Sequence, residues 1–158
     1  MDAIADFEDM LALLNQHGAR YLIVGGLAFI YHARPRYTKD MDIWVDPAED
    51  NIRRANLALS EFGSPDLLTP GRRQEILQIG VAPNRIDLLQ QLGDADFGAA
   101  WDRRIEDQYG SVRASWIDLD TLARIKEAIA HPRHQEDARI LREVQKARRG
   151  RAATPDDG

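Results

Sequence analysis

The sequence has no cysteine among its 158 residues, which excludes disulfides, thiolate zinc sites and cysteine nucleophiles. It also lacks a long apolar run. The longest near-apolar stretch, residues 21–31, spans 11 residues and contains two glycines, whereas a membrane-spanning helix needs roughly 20. The first ten residues do not show the basic and then apolar pattern of a secretion signal. These absences predict a soluble, cytoplasmic protein with no membrane contact.

An excess of positive charge is missing as well. The formal net charge is −5, whereas proteins that coat DNA are normally basic, so general DNA coating is disfavoured. The composition, 44% hydrophobic and 30% charged, fits one globular domain with a solvated surface. We assign this domain to residues 1–147 and predict a polar, flexible tail over residues 148–158.

Helical and extended patterns alternate along the chain, which is typical of an α/β fold. Apolar spacing predicts helices over residues 3–17, 27–32 and 47–62, and two further helices separated by Pro132. Short β-branched or alternating runs predict strands over residues 21–24, 38–45, 75–81, 85–89 and 112–117, the last of them at a sheet edge. We therefore expect a small, mixed, twisted sheet flanked by helices, packed mainly on one side, with C-terminal helices.

Helix starts and loops carry their own signals. Asp46 followed by Pro47 predicts an N-cap and a first helical residue, and Asp118 is a second candidate N-cap. Residues 63–71 are rich in Gly, Pro and Ser and predict a loop. Residues 95–105 give only a weak helical signal and are interpreted as a short helix or an irregular segment.

The strand over residues 38–45 contains the first candidate functional residues. Residues two apart on a strand point to the same face, so Asp40 and Asp42 are neighbours opposite an apolar face. Two close carboxylates repel each other, and a shared cation removes that repulsion. Mg²⁺ and Mn²⁺ prefer carboxylate and phosphate oxygens. The pair therefore predicts a divalent-metal site.

Gly25-Gly26 lies between the strand over residues 21–24 and a short helix. Free backbone amides at a helix start, together with the helix dipole, favour anions. Glycine also lets a phosphate approach the backbone closely. A phosphate-binding turn shortly before a metal-binding strand is the combination that phosphoryl chemistry requires.

Asp87 lies on a later strand with the same alternation of polar and apolar residues. If this strand lies beside the first, Asp87 meets the aspartate pair from the side. It then serves as a third metal ligand or as the general base for an acceptor hydroxyl. The alternative is that Asp87 only pairs with Arg85, two residues before it.

At these residues the sequence resembles the DNA-polymerase-β-like nucleotidyltransferase superfamily, and in particular the AbiEii/AbiGii-type toxin nucleotidyltransferases. The resemblance rests on His32 and on three segments, and it extends more loosely to Leu122 and Lys126. The three segments are Val24-Gly25-Gly26, Arg36-Tyr37-Thr38 and Asp40-Met41-Asp42-Ile43.

The resemblance implies transfer of a nucleoside monophosphate from an NTP to an acceptor hydroxyl on RNA, a protein or a small molecule. Asp40, Asp42 and Asp87 would hold Mg²⁺ or Mn²⁺, and the glycines would present amides to the phosphates. The other implied nucleotide-binding residues are Arg36, Thr38 and Lys126. A cognate antitoxin protein is the partner that this branch of the superfamily implies.

Alternatives remain at several positions. Gly26 replaces the serine of the Gly-Ser variant, and Arg133-His134 stands where the resembled family has Lys-Asp. The second departure favours a non-catalytic nucleotide- or partner-binding module with the same fold. Phosphohydrolysis at the same metals is a further alternative. Lys126 fits a snorkelling lysine as well as a phosphate contact, His32 fits a packed residue, and Trp44 fits base stacking or rim packing.

Overall fold

A computed structural model describes residues 3–81 and 84–153. The helices are α1 (Ala3–Gln16), α2 (Gly25–His32), α3 (Glu49–Phe62), α4 (Phe97–Asp102), α5 (Leu119–Glu127) and α6 (Pro132–Ala153). The strands are β1 (Tyr21–Val24), β2 (Asp40–Val45), β3 (Ile76–Ile79), β4 (Arg85–Leu89), β5 (Ile105–Tyr109) and β6 (Val112–Trp116). None of the described helices combines the length and the apolar character that a membrane crossing requires.

The strands form one sheet of six in the order β3-β4-β2-β1-β6-β5. Strands β2 and β4 are parallel, as are β1 and β6, whereas the other neighbours are antiparallel. The predicted mixed α/β sheet is confirmed. Strand β6 lies between β1 and β5, so its prediction as an edge strand is wrong. A parallel partner distant in sequence leaves no local signal, and the edge strand β5 was not predicted.

Both faces of the sheet are covered, so the prediction of helices mainly on one side is wrong. Helices α1 and α3 pack on one face, against apolar residues such as Met41, Ile43 and Leu88. Helices α2, α4, α5 and α6 pack on the other face, around residues such as Leu22 and Trp44. The central strands have apolar residues on both faces, which places the core on both sides of the sheet.

Local signals placed most element boundaries within a few residues. The carboxylate of Asp118 caps α5 by accepting a hydrogen bond from Thr121 N at 3.1 Å, as predicted. Asp46 is not an N-cap, because its Oδ1 accepts from Ala48 N at 3.0 Å and forms a turn. Helix α3 therefore begins only at Glu49. Residues 63–71 form the predicted loop.

Helix α6 continues through the start of the predicted tail. Residues 148–153 form its last turns, and residues 154–158 lie outside the described residues. Arginine and alanine are strong helix formers and make up this stretch apart from Gly150, so helical propensity outweighs the polarity that suggested a tail.

Candidate functional site

The carboxylate cluster, which we define as Asp40, Asp42 and Asp87 together with Arg85, lies on the two central parallel strands. In the register of β2 and β4, Asp42 is directly opposite Asp87 and Asp40 is directly opposite Arg85. Alternation along each strand places all four side chains on one face. The predicted meeting of Asp87 with the aspartate pair is therefore present in the structure.

Arg85 binds two of the three aspartates. Its Nη2 donates to Asp40 Oδ2 at 3.0 Å and to Asp87 Oδ2 at 3.2 Å, and its Nε donates to Asp87 Oδ1 at 3.0 Å. These hydrogen bonds, first among them the one to Asp87, raise the pKa of the guanidinium above its ordinary value. The pairing of Asp87 with Arg85, which the sequence left open, is thus part of the cluster.

The electrostatic repulsion within the cluster acts mainly on the carboxyl group of Asp42. Its burial, followed by the negative charges of Asp87 and Asp40, raises its pKa to about 6, and Arg85 offsets the effect only in part. A carboxyl whose pKa is raised by neighbouring carboxylates is a group that a cation would bind. The carboxylate cluster therefore has too little positive charge to balance its three aspartates.

The glycine turn lies directly against the cluster. Gly25 has φ +64°, and a Cβ at this position would overlap Asp42 Oδ2 and lie 2.9 Å from Asp42 Cγ. A Cβ on Gly26 would lie 2.8 Å from Thr38 Oγ1. Glycine at both positions therefore lets the start of α2 lie close to Asp42 and Thr38. Gly25, Gly26, Thr38 and the aspartates form one continuous site.

The start of α2 offers hydrogen-bond donors beside the carboxylates. Val24 occupies the N-cap position and, among the described residues, makes no side-chain capping hydrogen bond to the helix. The first backbone amides of a helix have no intrahelical acceptor. Val24 is also opposite Asp42 in the β1–β2 register, so these amides open beside the carboxylate cluster. An anion and a cation can be bound side by side at this place.

The carboxylate oxygens of the cluster are the type of ligand that a hard divalent cation prefers. Asp40 Oδ1 is buried and has no hydrogen-bond partner among the described residues, so one oxygen of the cluster is left for a ligand. In the described part of the chain, no three acidic or histidine side chains already form a group ready to hold a metal. Arg85 lies between Asp40 and Asp87 and takes the oxygens that a cation would use.

A second charged group, the Asp137 cluster, contains Arg36, Lys126, His134 and Asp137. Asp137 lies on α6, and its two carboxylate oxygens accept from Arg36 Nη1 at 2.8 Å and from Lys126 Nζ at 2.9 Å. The guanidinium of Arg36 also stacks over the ring of Phe29, 4.0 Å from its centroid. Lys126 is buried in an ion pair, so the snorkelling alternative for this residue is wrong.

The charges of the Asp137 cluster compensate one another in part. Burial alone would raise the pKa of Asp137, but the hydrogen bonds from Arg36 and Lys126 outweigh it and lower the pKa. Burial, followed by the positive charge of Lys126, lowers the pKa of His134, whose Nδ1 lies 3.3 Å from Lys126 Nζ. Two cations around one carboxylate leave a net positive charge.

Two aromatic candidates are core residues. His32 is buried, and its Nε2 is 2.7 Å from the carbonyl oxygen of Ile117, so the packed interpretation is confirmed. Burial lowers its pKa. Trp44 is buried and packs edge-on against Phe97, which excludes an exposed base-stacking platform at this position.

The predicted site residues therefore fall into two groups. Described contacts join the glycines, Thr38 and the aspartates into one site, whereas Arg36 and Lys126 meet at Asp137. Sequence reasoning did not assign a site role to Asp137. The resembled family has the pattern Lys-Asp-x-x-Asp over residues 133–137, and Asp137 is the residue of that pattern that this chain retains. Arg85 was considered only as a partner of Asp87, because its contact with Asp40 depends on the strand register.

The six-stranded mixed sheet with its flanking helices matches a nucleotidyltransferase-like fold. No protein-family model and no curated protein sequence matches the chain. Among solved structures, the chain is similar to the antibiotic-resistance factor ANT(2'')-Ia in solution, with 14% identity and a TM-score of 0.55 over 95% of this chain and 92% of the other. A crystal structure of ANT(2'')-Ia in complex with adenylyl-2''-tobramycin gives the same identity and TM-score and is covered over 98% of its length.

Proposed function

We propose that the protein is a metal-dependent nucleotidyltransferase that transfers a nucleoside monophosphate from an NTP to an acceptor hydroxyl. The observation that carries the proposal is the position of Asp42, directly opposite Asp87 and in van der Waals reach of Gly25 at the start of α2. Carboxylates and free helix amides at one point are what a metal–triphosphate complex requires.

In this proposal, Asp40, Asp42 and Asp87 hold Mg²⁺ or Mn²⁺. The bound metal supplies charge neutralisation and alignment of the phosphates. Asp42 would ionise fully on metal binding, because the cation removes the repulsion that raises its pKa. Asp87 is the ligand on the neighbouring strand, and it also lies where a general base for the acceptor hydroxyl is needed.

The amides of Gly25 and Gly26 are proposed to receive the β- and γ-phosphates. A side chain at either glycine would take the space that Asp42 or Thr38 occupies, so the backbone alone faces the ligand. The hydroxyl of Thr38, packed against Gly26, is a further candidate hydrogen-bond donor to the phosphates.

Arg36 and Lys126 are proposed to neutralise triphosphate charge as a pair. The side chain of Arg36 is 24% exposed and that of Lys126 only 8%, so Arg36 is the cation that a ligand would reach directly. Asp137 holds both cations in place. A preorganised arginine costs less entropy on binding a phosphate than a free one.

The proposal includes three classes of acceptor for the transferred nucleotidyl group. A complex of ANT(2'')-Ia with adenylyl-2''-tobramycin supports a nucleotidyl group as the transferred group and a small polyhydroxylated molecule as one acceptor class. RNA and protein hydroxyls are the other two classes, and an antitoxin protein is the proposed partner if the acceptor is a cellular RNA or protein. The experiment below includes all three acceptor classes.

A second candidate function is a nucleotide- or partner-binding module without turnover. The observation that favours it is Arg85, which already neutralises part of the carboxylate cluster through Asp40 and Asp87. Arg133 and His134, in place of the Lys-Asp pair of the resembled family, point in the same direction.

Binding is tested first, by thermal unfolding with Mg²⁺ and each NTP. The wild-type protein should be stabilised by one or more metal–NTP combinations, by about 3 kcal/mol at a hundredfold excess over Kd. Asp42→Asn should lose this response. Asp107→Asn, the same substitution on the edge strand β5, is the matched control and should keep it. An unchanged response in Asp42→Asn would rule out the proposed site.

Transfer is tested second, with α-phosphate-labelled NTPs incubated with RNA, cell protein and tobramycin. We expect label in one acceptor class, and a loss of about a thousandfold in Asp42→Asn, because a metal contributes several kcal/mol to the transition state. Binding without transfer to any of the three classes would favour the binding module.

A further inference from the structure

Arg85 lies within the carboxylate cluster, and the proposed transfer reaction assigns it no role. Its guanidinium makes ion pairs with Asp40 at 3.0 Å and with Asp87 at 3.0 Å. Both carboxylates belong to the proposed metal-ligand set. A positive group already occupies the oxygens that a divalent cation would need.

The anchoring of Arg85 differs from that of Arg36. The hydrogen bonds described for Arg85 all go to Asp40 and Asp87, and its side chain is 33% exposed. Arg36 is held by Asp137 and also stacks on Phe29. An arginine held by the carboxylates alone can turn into solvent once a stronger cation takes those carboxylates, since its long side chain is flexible.

The charge balance of the cluster favours such an exchange. Three aspartates face one guanidinium within the described cluster, so Arg85 neutralises it only in part. Asp40 Oδ1 is buried and has no partner among the described residues, although Oδ2 of the same carboxylate binds Arg85. A divalent cation brings twice the charge and can bind an oxygen that Arg85 does not reach.

We propose that Arg85 is an internal counter-cation, which occupies the carboxylate cluster in the unliganded protein and is displaced when Mg²⁺ or Mn²⁺ binds. The proposal rests on the metal site of the proposed function and adds a competitor to it. A competitor that fills a site reduces the apparent affinity for the ligand by the fraction of molecules in which the site is free. Arg85 would thereby weaken metal binding at low metal concentration.

The test is a titration with Mn²⁺, in which unbound Mn²⁺ is measured by electron paramagnetic resonance. Arg85→Gln should bind Mn²⁺ about tenfold more tightly than the wild type, if Arg85 fills the site in about nine molecules of ten. Arg103→Gln is the matched control, because Arg103 also bridges two aspartates, Asp118 and Asp120, outside the cluster. It should bind Mn²⁺ as the wild type does.

The outcomes separate this inference from the proposed function. Equal or weaker Mn²⁺ binding in Arg85→Gln, with clear binding in the wild type, would overturn the role of Arg85 and leave the metal site standing. Absence of binding in both proteins would overturn the two together. Binding by Arg85→Gln alone would support Arg85 as the occupant of the site but would overturn its displacement by the metal.

A second readout uses the wild-type protein and does not depend on the folding of a variant. The Nε–H resonance of Arg85 should shift in nuclear magnetic resonance spectra as Mg²⁺ is added, because its hydrogen bond to Asp87 Oδ1 is lost. The resonance of Arg103 should stay in place. An Arg85 resonance that does not move while Mg²⁺ saturates the protein would contradict the displacement.

Discussion

The carboxylate cluster and the Asp137 cluster distribute charge in opposite ways. Within the described contacts, the first places three aspartates around one arginine, whereas the second places two cations around one aspartate. The pKa of Asp42 is raised to about 6 by burial and by its carboxylate neighbours, whereas the pKa of Asp137 is lowered by its cations in spite of burial. One cluster is short of positive charge and the other has an excess.

This difference assigns different tasks to the two clusters. Uncompensated carboxylates lower the free energy of unfolding, and a bound cation would restore it, so the proposed function assigns the metal to the carboxylate cluster. The Asp137 cluster is satisfied without a ligand and joins the segment before β2 to α5 and α6. It therefore stabilises the fold, and the proposed function assigns its excess positive charge to a phosphate. The following substitutions test this comparison.

The largest expected effect is that of Asp137→Asn. The substitution keeps the shape of the side chain but leaves the ammonium of Lys126, 8% exposed, without its counter-charge. Removing one partner of a buried ion pair costs about 3 kcal/mol or more. We expect the free energy of unfolding, measured in urea at pH 7, to fall by about this amount.

Asp120→Asn is the matched control for this prediction. Asp120 also pairs with cations, through Arg142 at 2.9 Å and Arg103 at 3.2 Å, and it also connects α5 to α6. Its arginine partners are more exposed and can be solvated by water when it is neutralised, so the loss should be about 1 kcal/mol or less. A similar loss in both variants would show that burial does not distinguish the Asp137 cluster.

An effect of opposite sign is expected for Asp42→Asn. The pKa of Asp42 is about 6 in the folded protein and 3.8 without perturbation, so the folded state binds more protons between these values. The associated stability is fully present below about pH 4 and is lost as the pH rises through 6. At pH 7.5 without metal, Asp42→Asn should be more stable than the wild type by about 2 kcal/mol.

The measurement is urea unfolding at pH 4 and pH 7.5 with a chelator present. The advantage of Asp42→Asn should vanish at pH 4, where the wild-type carboxyl is protonated. Saturating Mg²⁺ at pH 7.5 should stabilise the wild type and not the variant. If the variant is no more stable at pH 7.5, the carboxylate cluster is not short of positive charge.

The sequence predicted correctly those features that depend only on interactions between neighbouring residues. Alternation along residues 40–45 depends only on strand geometry, so the shared face of Asp40 and Asp42 followed directly. The cap of Asp118 and the glycine turn depend on a few adjacent residues in the same way. These local signals were enough to predict that Asp40 and Asp42 share one face of β2 beside the glycine turn.

The features that could not be predicted from the sequence depend on contacts between distant segments of the chain. The bridge from Arg85 to Asp40 requires the parallel register of β2 and β4, and the meeting of Arg36 with Lys126 requires α6 to bring Asp137 between them. The place of β6 inside the sheet likewise depends on β1. In each case a local pattern fits several partners, and packing selects one.

The smallest expected effect on stability concerns the boundary of the carboxylate cluster. Gly25→Ala places a side chain at φ +64°, and Gly18→Ala does so at φ +69°. A left-handed conformation costs a non-glycine residue about 1 kcal/mol. Gly18→Ala should therefore lose about that much free energy of unfolding, and Gly25→Ala at least as much, because its Cβ also overlaps Asp42. In the described part of the chain, a Cβ at Gly18 meets nothing within 4 Å, which makes it the matched control.

The two glycine variants should differ in ligand binding as well as in stability. A Cβ at Gly25 would overlap Asp42 Oδ2 and lie 2.9 Å from its Cγ and 3.0 Å from its Cβ, so a rotation of the terminal carboxylate does not relieve the contact. Asp42 would have to move out of its position opposite Asp87, which would disrupt the proposed metal site. Mg²⁺–NTP binding, measured by calorimetry, should be weakened at least tenfold in Gly25→Ala and unchanged in Gly18→Ala. Equal binding by both would mean that the glycine turn and the carboxylates do not share a ligand.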